Sequence, residues 1–254
     1  MALLSFDIEI SDVFDLQRGE DMEKYAPFHI SVAATAIHGG EERLWFSEGS
    51  DGVPLLNLTS DKALEMLKYL DSMQQAGHML CAWNGLSFDM KWIGHQAGDL
   101  KLAARIAKGI YDPMFQFFNQ KGFPVGLAAV AAGMGIEQEK LMHGSEAPKE
   151  WRAGNYDLVK DYVLGDCQMT NQIVAAIQQA GEVRWRNSKG LMSSESMPRL
   201  KPVSEVLEDP APDQSWMDRP LAKSKFHSWL QVLEKQDQAQ DDAQELGPLF
   251  SASS

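Results

Sequence analysis

Leu4-Ser5-Phe6-Asp7-Ile8-Glu9 alternates apolar and polar side chains, with two carboxylates two residues apart. In a strand, alternate side chains point the same way, so Asp7 and Glu9 project together while Phe6 and Ile8 face the opposite side. The stretch reads as a buried strand with both acids on one face. Adjacent carboxylates repel each other unless a cation lies between them. Hard oxygen ligands so placed suit Mg²⁺ or Mn²⁺. The same letters also fit a strand running out into an acidic loop, since Asp12 and Asp15 follow.

Outward from that strand, the chain alternates strand and helix signals. Residues 28–36 and the stretch around 43–46 predict two more strands, joined by a turn at His38-Gly39-Gly40. Ser60 or Asp61 is placed to cap a helix in which Ala63, Leu64, Leu67 and Leu70 recur at helical spacing. Residues 78–83 are continuously apolar, as in a strand buried on both faces. A helix is expected from about Ser87 to His95, a short strand at 109–111, a small-residue helix over 126–132 and a long helix over 155–180. Ser193–Pro212, rich in Ser, Pro and Glu, predicts a linker. An aromatic-basic segment follows (Trp216, Arg219, Lys223, Lys225, Phe226, His227, Trp229), and it reads as packed back on the main domain rather than as a nucleic-acid surface. The expected organisation is a domain over 1–181, a linker and aromatic-basic segment over 182–230, and a disordered tail over 231–254.

The chain has 254 residues, 23 Lys+Arg against 36 Asp+Glu, and a formal net charge of −13, which argues against coating nucleic acid through an overall positive field. An enzyme that neutralises an acidic site with divalent ions remains compatible. No apolar run reaches membrane-spanning length, and the start lacks the pattern of a signal peptide. Cys81 and Cys167 form no CxxC pair. These features predict no membrane association and a cytoplasmic location.

Three separated segments share an acidic character: Asp7-Ile8-Glu9, Asn84-Gly85-Leu86-Ser87-Phe88-Asp89, and Tyr162-Val163-Leu164-Gly165-Asp166. Tyr162 and Asp166, four apart, share one face of the long helix. In this order the set resembles the three motifs of the DEDD superfamily of 3′–5′ exonucleases. The spelling is that of the tyrosine-bearing branch, which includes the proofreading domains of family-B DNA polymerases. The sister branch would need histidine at position 161, where Asp161 stands.

The resemblance implies an α/β, ribonuclease H-like fold, with a mixed sheet of about five strands flanked by helices. It implies catalysis with two divalent metals, Mg²⁺ or Mn²⁺. Asp7 would bridge both ions, Glu9 and Asp166 would complete the shell of one, and Asp89 would hold the other. Tyr162 would orient the attacking water, a better role than base for a phenol with pKa about 10. Asn84 is read either as a contact to the terminal nucleotide or as a helix cap, and Phe88 as core or as a base-stacking surface. The implied substrates are 3′ ends of single-stranded DNA or RNA, released as nucleoside 5′-monophosphates. The low net charge predicts modest unaided affinity, which leaves room for a protein partner or short substrates.

Other residues carry weaker signals. Lys140, Lys149, Arg152 and Lys160 read either as guides for a phosphate backbone or as a solvated face. His143 is expected in an exposed loop, His29 in a structural role, Asp112 as a helix cap, and Asp161 in solvent. A catalytically idle ribonuclease H-like module that binds nucleic acid or protein is the main alternative, and a metal-dependent endonuclease is a second.

Overall fold

The computed structural model describes residues 2–17, 19–137 and 141–233. Its frame is a mixed four-stranded sheet in the order β3-β2-β1-β4. β1 (Leu3–Ile10) lies between β2 (Ile30–Ile37), to which it is antiparallel, and β4 (Met79–Cys81), to which it is parallel. β3 (Glu42–Trp45) pairs antiparallel with β2 through the turn at His38–Gly40. The expected fifth strand shrinks to one residue. Tyr111 bridges Cys81 in parallel, its N–H donating to Leu80 O at 2.8 Å. Helix α3 (Leu100–Gly109) ends just before it, and α4 (Pro113–Lys121) begins just after it, capped by Asp112. Three residues between helices, the last of them the cap, leave no room for a ladder.

The alternation in β1 divides the molecule as its sequence predicts. Leu4, Phe6 and Ile8 enter one core with α1 (Ser60–Gln75), α2 (Asp89–Ala97) and α3. Burying each such side chain contributes about 1.5–3 kcal/mol. Ser5, Asp7 and Glu9 face the other side, where α7 (Tyr156–Ala180) crosses β1 and β2. On that side β2 offers Val32, Ala34 and Ala36 to Val159, Val163 and Cys167. The small residues allow close approach. Ser5 Oγ donates to Cys167 O at 2.7 Å, and Asn171 Nδ2 donates to Ala36 O at 2.9 Å. The short helix α6 (Ala147–Arg152) buries Trp151 beside them.

Several local expectations shift. The cap of α1 is Thr59, whose Oγ1 accepts from Lys62 N, rather than Ser60 or Asp61. α2 starts at Asp89 instead of Ser87, because residues 84–88 are taken up by a turn. The small-residue helix α5 covers Leu127–Met134.

The expected linker is a correction. Residues 182–196 form a hairpin of β5 (Glu182–Arg186) and β6 (Met192–Ser196), and α8 (Val203–Glu208) follows. The hairpin is held by tertiary packing rather than by β6 composition. Val183 and Trp185 join a second core with Val130, Ala131, Ile173 and Ile177. α5 meets β5 so closely that a Cβ on Gly133 would lie 2.3 Å from Arg184 O, so only glycine fits there.

The aromatic-basic segment packs back as expected. Phe226 lies against Phe115 and Phe118, Trp229 Nε1 donates to Leu86 O at 2.9 Å, and Lys223 Nζ donates to Val206 O and Asp209 O. Residues 224–233 are helical, and the tail expected to be disordered lies, from 234 on, outside the described residues.

Candidate metal centre

The site forms where β1, the turn before α2, and α7 meet. β1 supplies Asp7 and Glu9 from its α7-facing side. The third carboxylate, Asp166, comes from the middle of α7, at the height fixed by the Ser5–Cys167 contact one residue further on. One carboxylate oxygen each of Asp7, Glu9 and Asp166 lies within 4.8 Å of the others, and Glu9 is buried. Tyr162, one turn earlier on α7, hydrogen-bonds to Asp166. Gly144 passes beside it, so that a Cβ there would lie 3.4 Å from Tyr162 Oη.

Asp89 is close by but outside that triad. It is buried at the first position of α2, and its Oδ1 accepts from Ile8 N at 3.1 Å. β4 pairs with β1 only from Leu3 to Ser5, so among the described residues no strand flanks β1 beyond Ser5 on that edge. The carboxylate takes the place of the missing strand.

The turn that delivers Asp89 is built for a sharp change of direction. Asn84 has φ +71°, a left-handed conformation that Asn tolerates better than most residues. A Cβ on Gly85 would lie 2.4 Å from the Ala82 Cβ. Asp112 locks this turn, accepting from Asn84 N, Leu86 N and Phe115 N at 3.0–3.1 Å. It is the expected helix cap, but it also positions the second motif, a role the sequence reading missed. The signal for the cap is the place of Asp112 between the short apolar stretch at 109–111 and the next helix.

Asn84 does not cap α2; its Oδ1 accepts from Ser87 Oγ, and its side chain lines the cleft. Phe88 is half-buried, packing on Phe28 while also lining the cleft.

The cleft has a volume of about 670 Å³ and is bordered by Asp7, Glu9, Asp89, Asp166, Phe14 and Trp83. Lys149 is the one basic residue on its described lining. The other candidate phosphate guides are placed elsewhere. Arg152 Nε donates to Ser11 O at 2.8 Å, Lys160 lies over the Phe46 ring at 4.1 Å, and Lys140 is outside the described residues. His143 belongs to a capping box with Glu146, and the His29 N–H donates to Asp12. Asp161 is exposed.

Burial and mutual repulsion raise every acid in the site. Burial, then Asp89, Asp166 and Glu9, push Asp7 well up; burial, then Asp166 and Asp89, do the same to Glu9. Burial raises Asp89 to about 8 and Asp166 to about 6, and the Tyr162 hydrogen bond pulls Asp166 partly back. Burial and the carboxylates also push the Tyr162 phenol up, so it stays a neutral donor.

Such a cluster holds protons or holds a cation. The described cleft lining offers carboxylate oxygens and no histidine or cysteine, a donor set that fits a hard divalent ion. Asp7, Glu9 and Asp166 are therefore placed to hold a metal ion.

Residues 53–175 match the family model of the RNase_H superfamily. The matched span includes the Asn84–Asp89 turn and the Tyr162–Asp166 helix turn. No curated protein matches the chain. With the mixed sheet and flanking helices, the match makes the fold ribonuclease H-like, a nuclease-type architecture, here carrying an acidic triad able to bind metal. Among the described residues, no helix is long and apolar enough to cross a membrane.

Proposed function

We propose that this protein is a metal-dependent 3′–5′ exonuclease that removes nucleotides from single-stranded ends. The observation that carries the reading is the convergence of Asp7, Glu9 and Asp166 within 4.8 Å, with Tyr162 bonded to Asp166 and Asp89 anchored beside them. Asp7, Glu9 and Asp166 would hold one divalent ion. Asp7 and Asp89 would hold a second. Bound there, the ions would supply Lewis acidity to the attacking water and stabilise charge on the scissile phosphate and its leaving oxygen.

The protein's own groups would do the positioning. Tyr162, kept neutral by its surroundings, would donate to or orient the attacking water rather than deprotonate it. Asp112 would keep the 84–88 turn, and with it Asp89, in register. Phe14, Trp83 and Phe88 give the cleft apolar surface against which a nucleobase can pack. Lys149 would meet a phosphate, and the chain's net charge of −13 would keep affinity for bulk nucleic acid low.

The test uses 5′-labelled single-stranded DNA and RNA of matched sequence, plus a circular single strand, with Mg²⁺, Mn²⁺ or EDTA. A metal-dependent ladder shortening from the 3′ end, lost in Asp7→Ala and absent on circles, is the expected result. Cutting of circles would make the protein an endonuclease. Binding without cleavage in either metal would leave an idle ribonuclease H-like module.

A further inference from the structure

The backbone of Leu86 is held from two sides by side chains remote in sequence. Its N–H donates to Asp112 Oδ2 at 3.0 Å, and its carbonyl accepts from Trp229 Nε1 at 2.9 Å. Leu86 is fully buried, so its carbonyl would be costly to leave without a donor. Three residues on, the same turn delivers Asp89, whose Oδ1 accepts from Ile8 N.

The indole donor is itself fixed in place. Phe226, Trp229 and Leu230 share one face of the helix over 224–233. Phe226 and Leu230 are buried in the core that holds Leu4, Phe6 and Ile8. Phe226 rests on Phe115 and Phe118 of α4, with ring centroids 5.4 and 4.4 Å apart. Asp112, the other clamp on Leu86, caps that same α4. The contacts therefore close a ring that runs from Leu86 through Asp112, α4, Phe226 and Trp229 back to Leu86. Lys225 Nζ adds a tie to Asp21 at 2.8 Å, next to Met22 of the cleft wall. A shift of the turn would break one of these contacts. The helix lies outside the span 53–175 matched to the family model, so this support comes from beyond it.

Only one carboxylate of the centre depends on this turn. Asp7 and Glu9 stand on β1 and Asp166 on α7, and neither element includes Leu86. Loss of the Trp229 bond should act on Asp89 and spare the triad.

We propose that Trp229 is a positioning residue that holds Asp89 in place for the second of two divalent ions. This rests on the two-ion exonuclease reading. Trp229→Phe keeps aromatic packing and removes the N–H. Phe226→Leu loosens the same helix and leaves the bond in place, and Asp89→Asn marks which ion is concerned. Mn²⁺ binding to each full-length protein is measured by calorimetry in the presence of a nucleoside 5′-monophosphate, beside hydrogen exchange over 84–89. In Trp229→Phe the site lost in Asp89→Asn should weaken roughly tenfold, the scale for losing a group that supports a metal ligand, while the other site keeps its affinity. Exchange over 84–89 should quicken. Phe226→Leu should melt at lower temperature with both sites kept. Unchanged Mn²⁺ binding in Trp229→Phe would overturn the role of Trp229 and leave the exonuclease reading standing. Equal weakening of both sites, or the same loss in Phe226→Leu, would also overturn it, because either would signal a general structural loss. A wild type with fewer than two Mn²⁺ sites would overturn the two-ion reading, and this role with it.

Discussion

Asp89 accepts the Ile8 N–H at 3.1 Å, so a residue of the second motif completes the strand that bears the first. The bond couples backbone order to site geometry, and two substitutions separate its parts. Asp89→Asn keeps an acceptor for Ile8 and removes the charge, whereas Asp89→Ala leaves a buried N–H without a partner. Both should lose activity. Thermal unfolding without metal should rank Asn above Ala by about 1–3 kcal/mol. Equal stabilities would show that the bond does not hold the strand.

The raised acids give stability a definite pH dependence. A carboxyl whose folded pKa exceeds its unfolded value binds more protons when folded, so stability falls as pH rises between the two values. For Asp166 that window ends at about 6 and for Asp89 at about 8. The metal-free protein should therefore melt at progressively lower temperature from about pH 4 to pH 8. Added Mn²⁺ should raise the melting temperature more at pH 8 than at pH 6, because bound protons no longer compete. Asp7→Asn should raise the metal-free melting temperature at pH 8 and abolish the Mn²⁺ response. A melting temperature that rises with pH in the metal-free protein would refute the assignment of these shifts.

Asp112 lies outside the carboxylate triad, and its effect should be indirect. Its two oxygens accept three backbone N–H groups, two of them in the turn that leads to Asp89. Asp112→Ala should cost about 3 kcal/mol from a lost cap and unpaired donors. Hydrogen exchange should show faster exchange over 84–88, and kcat should fall at temperatures where the protein is still folded. Unchanged exchange in that segment would remove Asp112 from the site.

Tyr162→Phe should leave the fold intact and lower kcat by roughly 10²-fold, the scale of a misplaced reactant, with a small change in KM. Since the phenol is pushed up, the high-pH limb of the wild-type rate profile should show no tyrosine titration below pH 10. Loss of rate that follows KM alone would make Tyr162 a binding group.

Lys149 should act on binding rather than chemistry. Lys149→Gln should raise KM several-fold with kcat nearly kept, and the salt slope should fall by about 0.7. A kcat effect without a KM effect would place it at the reacting centre.

The parts of this molecule governed by local periodicity were legible. The two-residue alternation of β1 predicts which side carries Asp7 and Glu9, and the four-residue spacing on α7 predicts that Tyr162 meets Asp166. The parts set by where elements stop were not. Nothing in Ile8 or Asp89 announces their bond, because it exists only where β4 ends three residues into its pairing with β1. The hairpin was hidden for a related reason. Met192-Ser193-Ser194-Glu195-Ser196 has no apolar alternation, and its strand form depends on Val183 and Trp185 being anchored against α5. Asp112 read correctly as a cap, but its second use required knowing that the Asn84 turn folds over the start of α4.

Trp229, bonded to Leu86 O, braces the second-motif turn from a helix that follows Asp166 by sixty-three residues. A ribosome has therefore translated every carboxylate of the centre well before the turn beneath Asp89 gains this support. The nascent chain matures in that order: ligands first, brace last. Full alignment of the centre waits for a residue sixty-three positions beyond its last carboxylate.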